Sequence, residues 1–236
     1  MSPDPVSGTA LHLINPQRWN MYAYVLNNPL FYTDPDGRDA IVVGLSQQVR
    51  LLGIPFGHAG IISVHRGGTA QYGRLGPRSH GWFIGPNSVT TQPLPNVQFG
   101  PDGVPTQSSY RELAQAVAKI EQQDPSTINF AYYKTSEADT AALDGFLSAK
   151  QEASDQRKLV WYFGIGNNCA DFCINALSTA HVVGPEQAAN ASFIPNVLFW
   201  ELSFRAASVS TGETRKTPSV TETICYEGSG GCQAVK

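Results

Sequence analysis

The sequence predicts an α+β domain in which a small antiparallel sheet packs on helices. Short β-like runs occupy residues 40–44 and 59–65, and an Arg-Gly-Gly turn joins the second run to a third at 69–75, which is a hairpin signal. Apolar residues between 113 and 120 recur instead at helical spacing. With 22 Gly and 16 Pro among 236 residues, we expect extensive turns and loops between these elements.

The first helix follows a stretch without clear periodicity. Residues 81–85 can add a strand, whereas residues 86–107 are mostly Pro, Gly, Asn, Thr and Gln and are predicted to form a loop. Ser109 and Glu112 match a capping box, which places the helix start there. The helix should end near Asp124, which precedes a proline.

The second half of the chain alternates strands and helices. A strand is predicted at 129–134 and a β-like run at 159–163. Helices are predicted at 136–150, 168–180 and 193–207 from apolar residues on one face.

Composition excludes several classes of protein. The net charge is −3 and the pI about 5.9, so a basic surface for nucleic acid is not expected. No run approaches the roughly 20 apolar residues of a membrane helix. The N-terminus lacks a basic segment followed by an apolar run, so no signal peptide is predicted. Four cysteines are too few for a disulfide scaffold.

A cysteine at a predicted helix start is the strongest chemical signal. Cys169 follows Asn168, a residue type that caps helices, after glycines that permit a tight turn. Unpaired N–H groups and a partial positive charge at such a start favour the thiolate, which is the nucleophilic form. The alternative is an inert buried thiol, because free cysteine is usually buried. Cys173, one turn later on the apolar face, is predicted to be a core residue.

His58 is the candidate base. It follows Gly57 at the start of a predicted strand, 111 residues before Cys169, a separation that is ordinary for a cysteine–histidine pair. A strand histidine bonded to a backbone carbonyl is the alternative. His65 lies on the same strand with opposite parity and is predicted to face the surface.

The next predicted strand offers polar candidates for a third role. Gln71 could accept a hydrogen bond from the imidazole and orient it. Tyr72 points to the other side of a regular strand, and could donate to an oxyanion only in a different register. Arg74 and Asn168 are further candidates for substrate or oxyanion contacts. Gln71 and Tyr72 could each equally be structural.

The N-terminal segment carries a first family resemblance. Residues 15–37 place short aromatic segments between turn signals and end in Asp-Pro-Asp-Gly, and they resemble the terminal motif of Rhs/YD-repeat cores. In that family the motif marks the junction with a variable, commonly toxic, C-terminal domain. The resemblance implies a core remnant at 1–39 followed by a cargo domain, which we place at 40–207. The Ser/Thr-rich segment at 208–236 is predicted from its composition to be a mobile tail.

The cysteine and histidine motifs carry a second resemblance. A Gly-His strand (57–61), a polar strand (71–74) and Asn-Cys at a helix start (168–172) are together similar to the circularly permuted NlpC/P60 papain-like superfamily, which includes lecithin:retinol acyltransferase-like proteins. The resemblance implies Cys169 as nucleophile, His58 as base, and Gln71 or Tyr72 in the third position. The polar strand lacks the histidine of the acyltransferase-like members, which disfavours lipid acyl transfer.

The hypothesis is therefore a thiol-dependent hydrolase or acyltransferase that cleaves an amide or ester bond. It would be an effector delivered by a non-classical route, with a peptide, peptidoglycan or lipid substrate and an immunity protein as partner. No metal or cofactor is expected, since no ligand set or nucleotide motif occurs. Cys225 and Cys232 could close a disulfide loop in an oxidising compartment. The alternative from another class is a papain-like binding module, or Rhs cargo without activity.

Overall fold

A computed structural model gives the fold of the chain from residue 38 onward. It describes residues 38–46, 50–51, 54–55, 57–65, 67–77, 84–159, 162–163, 167–192, 194–204, 206–211, 215–216, 223–224 and 233–234. Residues 1–37 of the predicted core remnant lie outside the described residues, as do Cys225 and Cys232.

Seven antiparallel strands form the main sheet of the described chain: β1 (Arg38–Leu45), β4 (His58–Val64), β5 (Ala70–Pro77), β7 (Asn87–Leu94), β8 (Ile128–Thr135), β10 (Ser208–Thr211) and β11 (Arg215–Lys216). Their order across the sheet is β11-β10-β8-β1-β4-β5-β7. Three further pairs are β2 (Arg50–Leu51) with β3 (Ile54–Pro55), β6 (Ile84–Gly85) with β9 (Tyr162–Phe163), and β12 (Thr223–Ile224) with β13 (Gln233–Ala234).

Helices cover both faces of this sheet. They are α1 (Gln107–Glu121), α2 (Glu137–Asp155), α3 (Cys169–Thr179), α4 (Pro185–Asn190) and α5 (Pro195–Ser203), with a 3-10 turn at Pro125–Thr127. One core cluster joins α1 to one face, and the other joins α2, α3 and α5 to the opposite face. The predicted α+β class, with an antiparallel sheet packed on helices, is confirmed.

Strand β1 lies at the centre and separates the two cores. Ile41 and Val43 belong to the α1 side, whereas Ala40 and Val42 belong to the α2/α3 side, and all four are fully buried. Alternate side chains of a strand point to opposite faces. Burial on both faces therefore explains why this run reads as continuously apolar rather than alternating.

The prediction of a loop across 86–107 was wrong for its first part. Residues 87–94 form β7, which pairs along its length with β5. Only Val89 and Leu94 supply buried apolar side chains, so the alternation that marks a strand is weak. Pro93 is compatible with this position because β7 has a single partner strand among the described residues.

The predicted capping box at the start of α1 was also wrong. Thr106 is the N-cap: its backbone is extended and its hydroxyl accepts the Ser109 N–H at 3.2 Å. The Ser109 hydroxyl instead exchanges hydrogen bonds with the main chain of Gln98. The helix ends at Glu121 because Gln122 adopts a left-handed conformation, with φ of 55°.

The sheet continues beyond the predicted domain end at residue 207. Residues Ser208–Thr211 form β10 against β8, and the hydroxyls of Ser208 and Tyr110 lie 2.7 Å apart in the core. Ala207 donates its N–H to the carbonyl of Tyr132, which brings the chain onto the sheet. The first part of the segment predicted as a tail is thus a strand.

Replacing Thr106 with Ala should destabilise the fold. It leaves the Ser109 N–H without its acceptor, and loss of an N-cap costs about 1 kcal/mol. Urea denaturation measures this, with Thr106→Ser as the matched control because it keeps the hydroxyl. Equal stability of the Ala and Ser variants would contradict the assigned cap.

Candidate active site

The start of α3 is held by reciprocal hydrogen bonds. The Asn168 side-chain oxygen accepts the N–H groups of Ala170 at 2.7 Å and Asp171 at 3.2 Å, and Asp171 accepts the Asn168 N–H at 2.9 Å. This is a capping box, which the sequence prediction reached only in part, by placing Asn168 at the helix start. Its consequence is that Cys169 is the first helical residue and that the Asn168 oxygen is engaged in the cap.

His58 meets Cys169 at this helix start. His58 is the first residue of β4, and α3 packs along β4 and β5. The imidazole hydrogen-bonds the Cys169 side chain, and the two residues are 5% and 1% exposed. The structure therefore brings together the two residues that the sequence analysis proposed as base and nucleophile.

Gly57 allows this placement of His58. Its φ is 80°, a conformation that favours glycine, and a Cβ atom there would lie 2.0 Å from the Asn196 side-chain oxygen on α5. At the Gly-His dipeptide noted in the sequence, the chain thus passes close to α5 immediately before β4 begins.

Opposing effects act on the protonation of His58. Burial lowers the pKa of the imidazole, and the positive charge of Arg74 lowers it further. The Cys169 side chain, through charge and hydrogen bonding, and the Glu121 carboxylate favour the imidazolium. Together they outweigh burial, so the pKa of His58 lies above its ordinary value. Its Nε2 atom has no hydrogen-bond partner among the described residues.

A second polar group lies on the α1 side of the sheet. Glu121, the last residue of α1, accepts the Tyr72 hydroxyl at 2.9 Å and an Arg74 guanidinium N–H at 3.1 Å. Its side chain has no solvent exposure, whereas that of Arg74 is partly exposed. The sequence analysis missed Glu121, because it sits in a polar run at a helix end, a pattern typical of a solvated surface.

Tyr72 reaches this position across Gly60. Tyr72 pairs with Ile62 of β4, and its ring lies over Gly60, where a Cβ atom would be 2.5 Å from the hydroxyl oxygen. Burial is the first of the effects that raise the pKa of Tyr72 well above its ordinary value, followed by Glu121, so the phenol stays protonated and donates to Glu121.

Gln71 is not brought to the pair. It pairs with Ser63, five residues along β4 from His58, which is roughly 16 Å at about 3.3 Å per residue. It lines a small cavity with His65 and Pro93 instead. His65 is half-buried rather than fully on the surface, and its Nε2 lies 3.3 Å from Asp144.

A cleft of about 340 Å³ opens beside the first turn of α3. Asn167, Asp171 and Phe172 line it from α3 and the residue before its cap, and Phe146 and Lys150 line it from α2. Phe146 packs against Phe172 in a tilted arrangement, with ring centroids 5.4 Å apart. Cys169 and His58 do not contribute to its walls, so the cleft adjoins the pair without reaching it.

The described ranges contain no group of three His, Cys, Asp or Glu side chains arranged to hold a metal ion. Within those ranges, no helix combines the length and the apolar character that a bilayer crossing requires.

Replacing Gly60 with Ala should disturb the site. The new methyl would lie 2.4 Å from the buried Tyr72 ring, which Glu121 holds in place, and overpacking of this kind costs about 1–3 kcal/mol. Gly76→Ala on β5 is the matched control, since nothing lies within 4 Å of its Cβ position. Thermal or urea denaturation measures both. Equal stabilities would contradict the close contact.

The comparisons with known proteins find one structural likeness. The crystal structure of TseH, a type VI secretion system effector, matches 79% of this chain and 100% of that chain, with a TM-score of 0.60 and 16% sequence identity. No protein-family model and no curated protein matches the sequence. At this identity the likeness shows a shared fold.

Proposed function

We propose that this chain is a thiol-dependent hydrolase or acyltransferase that acts on an amide or ester bond. The observation that carries the proposal is the contact between Cys169, the first residue of α3, and the buried imidazole of His58. The two residues are far apart in the sequence, and they meet at a helix N-terminus, where a thiolate is favoured.

The reaction would start from the pair in which the Cys169 proton has already moved to His58, which leaves a thiolate beside an imidazolium. The thiolate attacks the carbonyl carbon, and the positive end of α3 stabilises the oxyanion that forms. The imidazolium then gives its proton to the departing amine or alcohol, which leaves an acyl-enzyme. Water, or an acceptor in acyl transfer, attacks the acyl group while His58 takes its proton, and Cys169 is regenerated.

The contacts revise the predicted roles of the flanking residues. The Tyr72 hydroxyl donates to Glu121, and the Asn168 oxygen accepts the amides of the first turn. We therefore assign neither side chain the oxyanion role that the sequence analysis considered, and give Asn168 the role of holding the helix start. Arg74 is paired with Glu121 in place of a substrate contact.

Substrate access requires the surroundings of the pair to move, because Cys169 is almost completely buried. The cleft beside the first turn of α3 adjoins the pair, and we assign it to the substrate. Its aromatic wall and Lys150 suit a substrate with apolar and anionic parts. A peptide, a peptidoglycan amide or a lipid ester remains compatible with these walls.

Two independent likenesses support a delivered effector. The fold is that of TseH, whose printed description is a type VI secretion system effector. Residues 15–37 resemble the end of an Rhs core, which commonly precedes a toxin. An effector of this kind is expected to have an immunity protein as partner. The burial of Cys169 favours one alternative, a non-catalytic module that uses the same fold for binding.

Alkylation should distinguish the two cysteines of α3. Burial raises the pKa of Cys173 well above its ordinary value, so that thiol should be inert, whereas Cys169 beside an imidazolium should react. We expect iodoacetamide, at about two pH units below the ordinary thiol pKa of about 8.5, to modify Cys169 at least about 10-fold faster, as read by peptide mass spectrometry.

His58→Gln is the matched variant for this experiment, and it should remove the difference. Slow and equal modification of Cys169 and Cys173 in the unaltered protein would contradict the enzyme proposal and favour the binding module.

Expression in bacteria tests the effector role. The chain directed to the cytosol or to the periplasm should arrest growth from one compartment, and Cys169→Ala should abolish the arrest. Cys173→Ala is the control, because a core cysteine has no chemical role in the proposal. Growth arrest that persists in Cys169→Ala, or no arrest from either compartment, would contradict the proposal.

A further inference from the structure

We propose that Glu121 is the positioning residue of this site: its buried carboxylate, held by Tyr72 and Arg74 on the face of β4 that carries His58, supplies the negative charge beside the imidazole. The inference rests on the proposed function, since an imidazolium at this place matters for catalysis only if Cys169 is the nucleophile. Glu121 would take the third role that the sequence analysis considered for Gln71, because the register of β4 and β5 keeps Gln71 far from the pair.

The placement of Glu121 follows from the strand register. Tyr72 pairs with Ile62, and Arg74 pairs with Gly60, so both side chains share the face of β4 that carries His58, Gly60 and Ile62. The Tyr72 hydroxyl lies over Gly60, two residues from His58. Because Glu121 accepts hydrogen bonds from both Tyr72 and Arg74, its carboxylate lies on the same face.

The energetics of burial make a purely structural role for this carboxylate a poor explanation. An ion pair taken out of water commonly contributes no more stability than apolar side chains of the same size. Glu121 is completely shielded while its partner Arg74 keeps partial exposure, so the pair is buried asymmetrically. A nearby imidazolium supplies a second favourable interaction for a charge in this position.

Charges of both signs surround His58. Cys169, which the proposed function makes a thiolate, approaches from α3, Glu121 contributes a negative charge from α1, and Arg74 on β5 neutralises part of the Glu121 charge. Tyr72 is protonated and contributes a hydrogen bond rather than a charge. The Nε2 atom of His58 has no hydrogen-bond partner among the described residues, so Glu121 acts on the ring through its field.

Two substitutions with opposite expected signs test this array. Glu121→Gln keeps an acceptor for Tyr72 but removes the negative charge, so the pKa of His58 should fall by about one unit. Arg74→Gln keeps a donor for Glu121 but removes the positive charge, so the pKa of His58 should rise. If the Glu121–Arg74 contact were merely structural, the two substitutions would not shift the pKa of His58 in opposite directions.

The readout is an NMR titration of the histidine ring signals of the whole chain, with the His58 signal identified by its loss in His58→Gln. Glu112→Gln, an exposed carboxylate on the same helix, is the control and should leave His58 unchanged. All variants are measured again in a Cys169→Ala background, where the thiolate is absent.

The expected result is that the pKa of His58 falls in Glu121→Gln and rises in Arg74→Gln. Both changes should persist in the Cys169→Ala background. An unchanged pKa in Glu121→Gln, or shifts of the same sign in both variants, would overturn the assignment. If one variant does not fold, the sign of the other decides. The alkylation of Cys169 tests the proposed function, and the NMR titration tests the role of Glu121. The failure of one proposal can therefore be told apart from the failure of the other.

Discussion

The contact between an imidazole and a thiol at a helix start is the interaction on which the site depends. It requires three parts of the chain to be held at once. Gly57 lets the chain pass α5 and enter β4, and Asn168 and Asp171 fix the first turn of α3. The central sheet, buried on both faces, holds β4 and β5 beneath that turn.

The cores on the two faces of the sheet have different roles in building the site. On the α2/α3 side the core is apolar and sets the position of α3, with Cys173 packed one turn below Cys169. On the α1 side the core admits a buried group of polar side chains, Tyr72 and Glu121, at the end of the sheet nearest His58. Gly60 makes room for this polar group, because the aromatic ring of Tyr72 occupies the space that a side chain at position 60 would fill.

The sequence carried the local features of this site and missed those that depend on strand register. A cap residue before Cys169 and a glycine before His58 are visible as neighbours in the chain, and the structure gives both a physical reason. The role of Gln71 depended on which residue of β4 lies opposite it, and hydrophobic alternation does not specify that when both faces are buried. Glu121 was hidden for the related reason that α1 packs on the face of the sheet opposite to α3, which carries Cys169. Strand β7 was missed because a strand with only two buried apolar residues has little alternation to detect.

The most direct measurement of the central claim is the ultraviolet absorbance of the thiolate as a function of pH, taken as the difference between the unaltered chain and Cys169→Ala. The account predicts thiolate absorbance that persists below about pH 7 and is lost from that range in His58→Gln, because the imidazolium stabilises the anion. Absorbance that appears only near the ordinary thiol pKa of about 8.5 or above, and is unaffected by His58→Gln, would contradict it.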